Sequence, residues 1–261
     1  MLELFSLKGK VALVTGASRG LGKPVALGMA AAGAHVVLVA RDAGKLEAVR
    51  EEIVRAGGEA SVLTLDLADE EAVRSGVRRM AEKLGRIDIC ANIAGIINWQ
   101  PFLDSDEEDF DRTLATNLRG TFVMAQECAA VMRAGGRGGR IITTASVLGP
   151  LGRSKLHAYC ASKSGIIGLT RSLAAELGRE NITVNCVAPG YFLTEINASL
   201  QSRPGYMEAI NGVTPMERWG DPREIVGGMI FLASDASSFV TGQVLHIDGG
   251  VSSSFKFQLA A

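Results

Sequence analysis

The segment from residue 10 to residue 40 contains the pattern that most restricts how this chain can fold. Residues 10–15 form a short apolar run typical of a buried strand, and a glycine-rich turn over 16–22 and an alanine-rich helical pattern ending at Gly33 follow it. His35–Ala40 is a second apolar run of strand length. A strand, a helix and a second strand of this combined size predict a βαβ unit with parallel strands and a right-handed crossover.

The turn over 16–22 has glycine at positions 16, 20 and 22. Glycines at these places let backbone amides close on an anion and let the helix begin tight against the strand, so its N-terminus would face bound phosphates. The spacing Gly-x3-Gly-x-Gly differs from the commoner dinucleotide fingerprint, and an ordinary strand-to-helix connection is the alternative. With Gly20 as the N-cap, Pro24 would still lie in the first helical turn, where its missing N–H loses no intrahelical partner.

The end of the second strand is the place where an enzyme that binds a ribose hydroxyl has a carboxylate. This chain has cations there. Ala40 is followed by Arg41, and Arg19 lies in the glycine turn. Two arginines without a carboxylate favour a 2′-phosphate, and therefore NADP(H) over NAD(H). Asp42 leaves two interpretations open, because it either caps the following helix, Ala43–Arg55, or turns back to the ribose.

Further apolar runs of strand length follow, separated by helical patterns. They cover residues 60–65, 86–91, 140–145, 181–187 and 243–247. Seven strands alternating with six helices predict an α/β fold, a doubly wound (Rossmann) and nearly all-parallel sheet with helices on both faces. No linker or repeat divides the 261 residues, so we expect a single domain, with a substrate lid at about 190–220 where regular periodicity is lost.

Two polar residues stand out within these elements. Asp66 follows the third strand, where such sheets bind ligands, and it is a candidate acceptor for an adenine amine, whereas Asp69 is an equally plausible helix cap. A helical pattern from about 109 to 133 contains Asn117, whose amide is unusual in an apolar stripe. Asn117 is either a satisfied core amide or a support for a bound water beside Lys163.

Composition excludes several classes of function. With 47% hydrophobic residues the chain can bury a sizeable core, and a net charge of -1 argues against dedicated binding of nucleic acid or a membrane surface. The four cysteines fall at no metal-ligand spacing, so we expect reduced, mostly buried thiols and no metal site. We recognise no secretion signal and no window of membrane-span length, and we expect a cytosolic protein.

A candidate catalytic group begins at the end of the 140–145 strand. Ser146 lies at that strand end, and Tyr159 and Lys163 are four residues apart on the following helical pattern, so they share one helix face. A nearby ammonium is expected to lower the pKa of the phenol toward neutrality, which would make Tyr159 a general acid or base. Ser146 would bind the same substrate oxygen, and a surface Tyr/Lys pair is the alternative.

Taken in order, these motifs resemble the short-chain dehydrogenase/reductase family over nearly the whole chain. The matching elements are Thr15-Gly-x3-Gly-x-Gly22, Asp66, Asn92-x-Ala-Gly95, Asn117, Ser146, Tyr159-x3-Lys163, Pro189-Gly190 and Thr194. The chain departs from the family's frequent Asn-Asn-Ala-Gly by having Ile93 in place of the second amide. We expect cofactor binding to survive this change.

The resemblance implies a role for each matching position. Tyr159 is then the proton donor or acceptor, Lys163 lowers its pKa and holds the nicotinamide ribose, Ser146 orients the carbonyl or alcohol, and Asn117 anchors a relay water. The reaction implied is hydride transfer between nicotinamide C4 and a substrate carbon. The cofactor-binding positions implied are Gly16, Ser18, Arg19, Gly20, Leu21, Gly22, Arg41, Asp66, Leu67, Asn92, Ala94, Gly95, Tyr159, Lys163, Pro189, Gly190 and Thr194.

Within the family, the segments 189–197 and 214–220 look like the bacterial gluconate 5-dehydrogenase group, which implies a sugar acid such as gluconate/5-ketogluconate as the small-molecule substrate. We take Arg153, His157 and Tyr191 as substrate-binding candidates. Polar groups that suit hydroxyls and a carboxylate are Asn98, Gln100, Arg153, His157 and Asn197. An apolar substrate would equally suit Trp99, Leu148, Leu151 and Tyr191.

Two other functions remain to be weighed. A 3-oxoacyl-thioester (acyl-carrier-protein) reductase shares the glycine turn, Arg41 and the catalytic group, but residues 201–208 offer only Arg203 to an acidic carrier partner. A nucleotide-binding regulator is disfavoured because every catalytic position is occupied. The resemblance also implies a homotetramer that pairs the helices around 112–133 and 158–178 and the last strand, with Phe255 and Phe257 compatible with such contacts.

Overall fold

One seven-stranded sheet organises the part of the chain that this computed structural model describes, residues 2–195 and 198–254, with positions 198 and 199 given by their backbone alone. The strands are β1 (Val11–Thr15), β2 (His35–Ala40), β3 (Glu59–Thr64), β4 (Ile89–Asn92), β5 (Gly139–Thr144), β6 (Ile182–Pro189) and β7 (Val244–Ile247). Their order is β3-β2-β1-β4-β5-β6-β7, and every ladder is parallel. The predicted doubly wound parallel sheet is confirmed.

The apolar runs explain why the central strands form. Every residue of β1, β4 and β6 is buried, as expected for strands that are covered on both faces. β3 and β7 are the edge strands, and most of their side chains are partly buried or exposed, although Leu63 of β3 is buried.

Helices cover both faces of the sheet. They are α1 (Gly22–Ala31), α2 (Ala43–Arg55), α3 (Glu70–Leu84), α4 (Glu107–Leu114), α5 (Gly120–Gly135), α6 (Leu148–Leu151), α7 (His157–Leu177), α8 (Ala198–Gln201), α9 (Tyr206–Val213) and α10 (Val226–Ala233). One core lies between the sheet and α1, α2 and α10, and a second lies between the sheet and α3, α5 and α7. The four cysteines are free thiols, three of them buried, as predicted.

The strand order fixes where a ligand can bind. The chain proceeds outward from β1 to β3 and then returns to place β4 on the other side of β1. At this reversal the loops that follow β1 and β4 diverge, which leaves a crevice at the carboxyl ends of the strands. The glycine turn, the loop after β4, Ser146 and Pro189-Gly190 all follow strands that end at this edge.

Several predicted boundaries need correction. The helix predicted from about 109 to 133 is divided into α4, a π-helical turn (Ala115–Arg119) and α5, because Asp106 caps an earlier start and the ladder widens at Asn117. The N-cap of α1 is Leu21, since Gly20 has a φ of 56°. Pro24 lies in the first turn of α1, as predicted.

The connection predicted as a lid contains two short helices, α8 and α9. Its two ends are joined, because the Gly220 amide donates to the Tyr191 carbonyl at 2.9 Å and the Leu193 amide donates to the Gly220 carbonyl at 3.0 Å. Ile210 and Trp219 are buried and hold this connection against the rest of the protein. No helix among the described residues combines the length and the apolarity that crossing a bilayer requires.

Candidate active site

A cavity of about 680 Å³ runs along the carboxyl edge of the sheet. One end lies at Arg41 and Lys45, where β2 passes into α2, and the other lies at Ser146 and Arg153 beyond β5. The cavity therefore joins the glycine turn to the candidate catalytic group. The predicted positions that line it are Gly16, Ser18, Arg19, Gly20, Leu21, Gly22, Arg41, Asp66, Leu67, Ala94, Gly95, Ser146, Arg153, Tyr159, Lys163, Pro189, Gly190, Tyr191 and Thr194.

The glycine turn has no room for side chains at two of its positions. A Cβ on Gly22 would lie 2.2 Å from the Gly16 carbonyl oxygen, and one on Gly16, whose φ is 71°, would lie 3.0 Å from the backbone of Ala94. The hydroxyl of Thr15 accepts hydrogen bonds from the amides of Ile93 and Ala94 at 2.9 and 3.1 Å. The turns after β1 and β4 are thus held together, as a close-fitting cradle requires.

The other side of the same turn meets the long connection after β6. The amide of Gly20 donates to the Glu195 carboxylate at 3.2 Å, and both residues line the cavity. Sequence reasoning missed Glu195, because the contact joins two loops 175 residues apart.

Three cations line the end of the cavity at β2 and α2. Arg19 and Arg41 are the predicted pair, and Lys45, in the first turn of α2, is a third that sequence reasoning missed. Asp42 caps α2, since its carboxylate accepts from the Lys45 amide at 3.0 Å, and this bond lowers the carboxyl pKa. The capping interpretation of Asp42 is therefore confirmed. Arg41 lies 3.5 Å from Asp66, and this distance is at the limit of a hydrogen bond.

Asp69 also has the capping role that was considered for it, because its carboxylate accepts from the Ala72 amide at 3.0 Å at the start of α3. Asp66 accepts from the Ala68 amide at 3.0 Å and still reaches the cavity wall. The predicted contact of Asp66 with an adenine amine stays a prediction.

The candidate catalytic side chains meet at the opposite end. Tyr159 and Lys163 lie one turn apart on α7, as predicted, and the Ser146 hydroxyl lies close enough to the Tyr159 phenol to oppose the rise of its pKa. The Lys163 ammonium is buried and donates to the Thr144 carbonyl at 2.7 Å, and it lies 5.6 Å from the centre of the Tyr159 ring. A hydroxyl, a phenol and an ammonium therefore surround one small volume.

The electrostatics of this group correct one expectation. Burial lowers the pKa of Lys163 to about 8. Burial also raises the pKa of Tyr159, and the nearby Ser146 hydroxyl opposes this effect without overcoming it. The expected lowering of the Tyr159 pKa by Lys163 is absent, because the ammonium is bonded to the Thr144 carbonyl rather than to the phenol. Tyr159 is therefore protonated at neutral pH.

Asn117 lies behind the cavity wall. It is fully buried, its side-chain oxygen accepts from the Ile96 amide at 2.8 Å, and its side-chain nitrogen donates to the Ile96 carbonyl at 2.9 Å. A Cβ on Gly95 would lie 3.2 Å from the Asn117 oxygen and 3.5 Å from the Lys163 nitrogen. The amide is thus satisfied and lies close to Lys163, and its predicted role in holding a relay water stays a prediction.

Asn92 and His157 do not reach the wall of this cavity. Asn92 is buried at the end of β4, where its side-chain nitrogen meets the sulfur of Cys90 at 3.4 Å and its oxygen has no partner. His157 is held between Phe102 and Phe110, with ring centres 5.6 and 6.4 Å away. Asn92 is thus buried outside the cavity and His157 is packed between two rings, and the direct ligand roles predicted for these two residues stay predictions.

Aromatic residues concentrate at the end of the cavity near Ser146 and Arg153, which we call the substrate end. The chain has two tryptophans and three tyrosines, and all five lie here. Trp99, Tyr159, Tyr191 and Tyr206 line the cavity, and Trp219 contacts the rings of Tyr191 and Tyr206 at 5.8 and 6.1 Å. The sequence pattern had not indicated Tyr206, because it lies on a short helix far along the chain.

Arg153 lies among these rings. Its guanidinium carbon is 4.9 Å from the Trp99 ring, 5.7 Å from that of Tyr191 and 5.6 Å from that of Tyr206. Burial raises the pKa of the neighbouring Tyr191 phenol, and the charge of Arg153 opposes this rise. No carboxylate among residues 2–195 and 200–254 forms an ion pair with Arg153.

Two of the polar candidates face away from the cavity. The side-chain amides of Asn98 and Gln100 both donate to Asp109 on α4, so they are removed from the set of substrate ligands. Asn197 lies outside the described residues. Of the apolar candidates, Leu148 lines the cavity, whereas Leu151 is 55% exposed on the surface.

This arrangement has close relatives. A family model described as enoyl-(acyl carrier protein) reductase, adh_short_C2, matches residues 16–252. The gluconate 5-dehydrogenase of Gluconobacter oxydans is 40% identical over 95% of this chain and 97% of its own length. The crystal structure of a gluconate 5-dehydrogenase from Burkholderia cenocepacia in complex with NADP and tartrate has a TM-score of 0.94 at 37% identity, covering 97% of this chain and 99% of that one. The chain belongs to the short-chain dehydrogenase/reductase family.

As a short-chain dehydrogenase/reductase, the protein is an oxidoreductase that acts on CH–OH groups with a nicotinamide cofactor, and the predicted enzyme class is confirmed. The alternative of a nucleotide-binding regulator is set aside. A 3-oxoacyl-[acyl-carrier-protein] reductase of Synechocystis is also similar, at 38% identity over 94% of this chain and 98% of its own length. Family membership therefore leaves the substrate open.

The cavity fits a nicotinamide dinucleotide by the chemistry of its wall. Backbone amides of a tight glycine turn lie at the N-terminus of α1, which favours phosphate binding. The cations at the β2 end lie on the same wall, and Tyr159 and Lys163 lie at the far end, where the reacting ring belongs. The residues expected to hold the cofactor are thus brought together, with Asn92 as the exception.

Proposed function

We propose that this enzyme interconverts a ketone and a secondary alcohol on a sugar acid of the gluconate/5-ketogluconate type, with NADP(H) as its cofactor. Arg153 carries the proposal. It is a half-buried cation on the wall of the substrate end, and no carboxylate among the described residues neutralises it. A cation in such a place favours an anionic ligand, and a guanidinium matches a carboxylate with two parallel hydrogen bonds.

The neighbours of Arg153 support the same substrate class. Ser146 and Tyr159 lie on the wall of the same cavity, so one molecule with a carboxylate and a carbonyl can reach all three side chains. The Gluconobacter relative is named for gluconate, and the Burkholderia structure holds tartrate, a hydroxy acid, together with NADP.

The catalytic group supports reduction of a carbonyl at neutral pH. The cofactor supplies the hydride. Tyr159 holds the proton that the substrate oxygen needs, because burial keeps its phenol protonated. Ser146 holds that oxygen beside the phenol, and the Lys163 ammonium, fixed on the Thr144 carbonyl, lies 5.6 Å from the centre of the phenol ring.

The preference for NADP(H) rests on the charge at the β2 end. Arg19, Arg41 and Lys45 line that end, and Asp42, which also lines it, caps α2 and forms an ion pair with Lys45 at 3.3 Å. A 2′-phosphate is attracted by these cations, whereas the carboxylate that could bind a ribose hydroxyl, Asp42, is already engaged by Lys45.

The first experiment measures initial rates of NADPH and NADH oxidation with 5-ketogluconate, an acetoacetyl thioester and cyclohexanone. We expect selectivity for 5-ketogluconate with NADPH. Replacing Arg153 by glutamine should raise KM for 5-ketogluconate by about 10- to 100-fold, since a charge-assisted hydrogen bond contributes about 1.5–3 kcal/mol. The same change at the exposed neighbour Lys155 is the matched control and should have little effect. Equal use of NADH, or an unchanged KM in the Arg153 variant, would contradict the proposal.

A 3-oxoacyl-thioester reductase is the second candidate. The similarity to the Synechocystis enzyme favours it, and Trp99, Leu148 and Tyr191 give the cavity an apolar wall that suits an acyl chain. In the same panel, selectivity for the acetoacetyl thioester would establish this candidate instead, with the catalytic group unchanged.

We further propose that residues 190–220 act as a substrate lid on a single domain. Glu195 and Tyr206 support this, since both come from this segment and line the cavity. Saturating NADPH and 5-ketogluconate should therefore slow proteolysis within the segment, and unchanged cleavage would speak against a lid.

We also propose a homotetramer. Phe122 on α5 is 39% exposed and Phe239, close to β7, is fully exposed, so apolar surface is available on two of the elements expected to pair. Phe255 and Phe257 lie outside the described residues. A monomer in light scattering at micromolar concentration would contradict this assembly.

A further inference from the structure

The loop after β4 carries Trp99 to the guanidinium of Arg153, although it has no regular secondary structure of its own between residues 93 and 101. Backbone hydrogen bonds of a strand or helix therefore do not fix the position of this ring. Bonds made by the neighbouring side chains and by the Gln100 backbone hold it instead.

Asn98 and Gln100, the two neighbours of Trp99, are both bound by one carboxylate. Each donates a side-chain amide N–H to the same oxygen of Asp109, and the bond from Gln100 is 2.7 Å long. The side chains of Asn98 and Gln100 thus point toward α4, and the Trp99 ring points toward Arg153. The Asp109 carboxylate, which binds the residues on both sides of Trp99, therefore fixes the direction in which the Trp99 ring points.

Gln100 adds two further bonds. Its backbone N–H donates to the Lys155 carbonyl at 3.1 Å, and its side-chain oxygen accepts from the backbone N–H of Asp106 at 3.2 Å. Lys155 lies two residues from Arg153, so the loop that carries Trp99 and the loop that carries Arg153 are joined. Both are then tied to the first turn of α4.

Asp109 differs from the other acids of this turn. Asp106 is the N-cap of α4 and Glu108 is exposed, whereas the Asp109 side chain is 17% exposed and is turned toward the loop. Asp109 also pairs with Arg112, three residues later on the exposed side of α4. It lines no part of the active-site cavity, so it cannot act on the substrate directly.

From this geometry we infer that Asp109 is a positioning residue for substrate recognition: through Asn98, Gln100 and Trp99 it sets the place of the Arg153 guanidinium that binds the substrate carboxylate. This inference rests on the proposed function. The Trp99 ring limits where the guanidinium can lie, because the cation is attracted to the ring face. Removing the carboxylate releases both amides and lets the ring move.

The test compares Asp109→Ala, Asp109→Asn and, as a matched control in the same turn, Glu108→Ala. Asp109→Ala should raise KM for 5-ketogluconate about fivefold, in the range of coupling energies between contacting residues, with kcat, KM for NADPH and KM for cyclohexanone unchanged. Asp109→Asn keeps an oxygen acceptor for the two amides and should restore most of the loss. Glu108→Ala should behave as the parent enzyme.

A double-mutant cycle separates positioning from a merely structural role. In an Arg153→Gln background, Asp109→Ala should have no further effect on KM for 5-ketogluconate, because its action passes through the guanidinium. An equal additional loss in that background would overturn the inference. An equal loss with cyclohexanone would also overturn it, since that ketone has no carboxylate.

Tryptophan fluorescence keeps the test independent of the substrate assignment. The chain has only two tryptophans, so a Trp219→Phe background reports Trp99 alone. Asp109→Ala should shift the Trp99 emission to longer wavelength, and Asp109→Asn should not. If 5-ketogluconate proves not to be a substrate but the shift occurs, the proposed function fails while the positioning of Trp99 stands. An unchanged emission spectrum overturns the positioning itself.

Discussion

Replacing Lys163 by methionine should change how the stability of the protein depends on pH. Burial lowers the pKa of this ammonium from 10.5 to about 8 in the folded state. At about 1.36 kcal/mol per pKa unit, this difference corresponds to about 3 kcal/mol of destabilisation when the group is charged. Methionine has a similar length and no charge, so the variant lacks this contribution at every pH.

The direction of the effect follows from proton binding. Between pH 8 and 10.5 the unfolded chain binds a proton at Lys163 that the folded chain has released, so the stability of the parent enzyme rises with pH across this window. Below about pH 8 both states are protonated at Lys163 and the full cost is present. The variant also loses the bond to the Thr144 carbonyl. This loss adds a constant to the difference in free energy of unfolding and leaves its dependence on pH unchanged.

The assay is urea unfolding of both proteins at pH 7, 8, 9 and 10, followed by circular dichroism. The difference in free energy of unfolding, parent minus Lys163→Met, should increase by about 2–3 kcal/mol from the lowest to the highest pH. Other titrating groups are common to both proteins and cancel. A difference that stays constant over this range would refute the reasoning, because it would mean that Lys163 keeps an ordinary pKa in the folded enzyme.

Three other consequences are open to measurement. Because burial raises the pKa of Tyr159, oxidation of gluconate, which requires the phenolate, should accelerate steadily from pH 8 to 10, and a rate that is flat over this range would contradict the raised pKa. Arg41→Ala should raise KM for NADPH about tenfold and leave KM for NADH unchanged, with Lys23→Ala, which pairs with Glu52 outside the cavity, as the control. Glu127→Ala should lower the free energy of unfolding by about 2 kcal/mol in urea titrations, since two arginines would lose a carboxylate that is 8% exposed, and a loss below about 0.5 kcal/mol would show that the pair is only a surface contact.

The sequence predicted the sheet well because the signals for it are local. β2 and α2 begin and end at the predicted residues, since each is a continuous apolar or amphipathic run bounded by a glycine or a cap. The helix expected over 109–133 was wrong in its continuity. The π-helical turn depends on the bond between the Asn117 side chain and Ile96, and no local sequence pattern indicates that bond.

The cofactor end of the site was also accessible from the sequence, whereas the substrate end was not. Arg19 and Arg41 lie in or next to motifs of a single βαβ unit, and the fold brings them together by necessity. At the substrate end, Asn98 and Gln100 seemed suited to hydroxyls, but a carboxylate on α4 takes both amides. Tyr206 was missed because a connection without periodicity carries it to the cavity.

The pKa of Tyr159 shows a further limit of sequence reasoning. The spacing of Tyr159 and Lys163 correctly placed both groups on one helix face, and the inferred direction of the phenol pKa was nevertheless wrong. Burial depends on everything that surrounds the pair. The Thr144 carbonyl, to which the ammonium is bonded, belongs to β5 and not to the helix that carries the pair.

In the proposed function the two ends of the cavity bind negative charge by different physical means, and this explains why similarity to relatives informs one end more than the other. The phosphate end uses backbone amides of the glycine turn together with the cations Arg19, Arg41 and Lys45. The substrate end depends on one arginine held by rings from three separate segments, Trp99, Tyr191 and Tyr206. Relatives of 40% and 38% identity carry the names of a sugar-acid dehydrogenase and a thioester reductase. Since a small displacement of any one ring moves the guanidinium, substrate preference can change within this family while the cofactor site and the catalytic group stay the same.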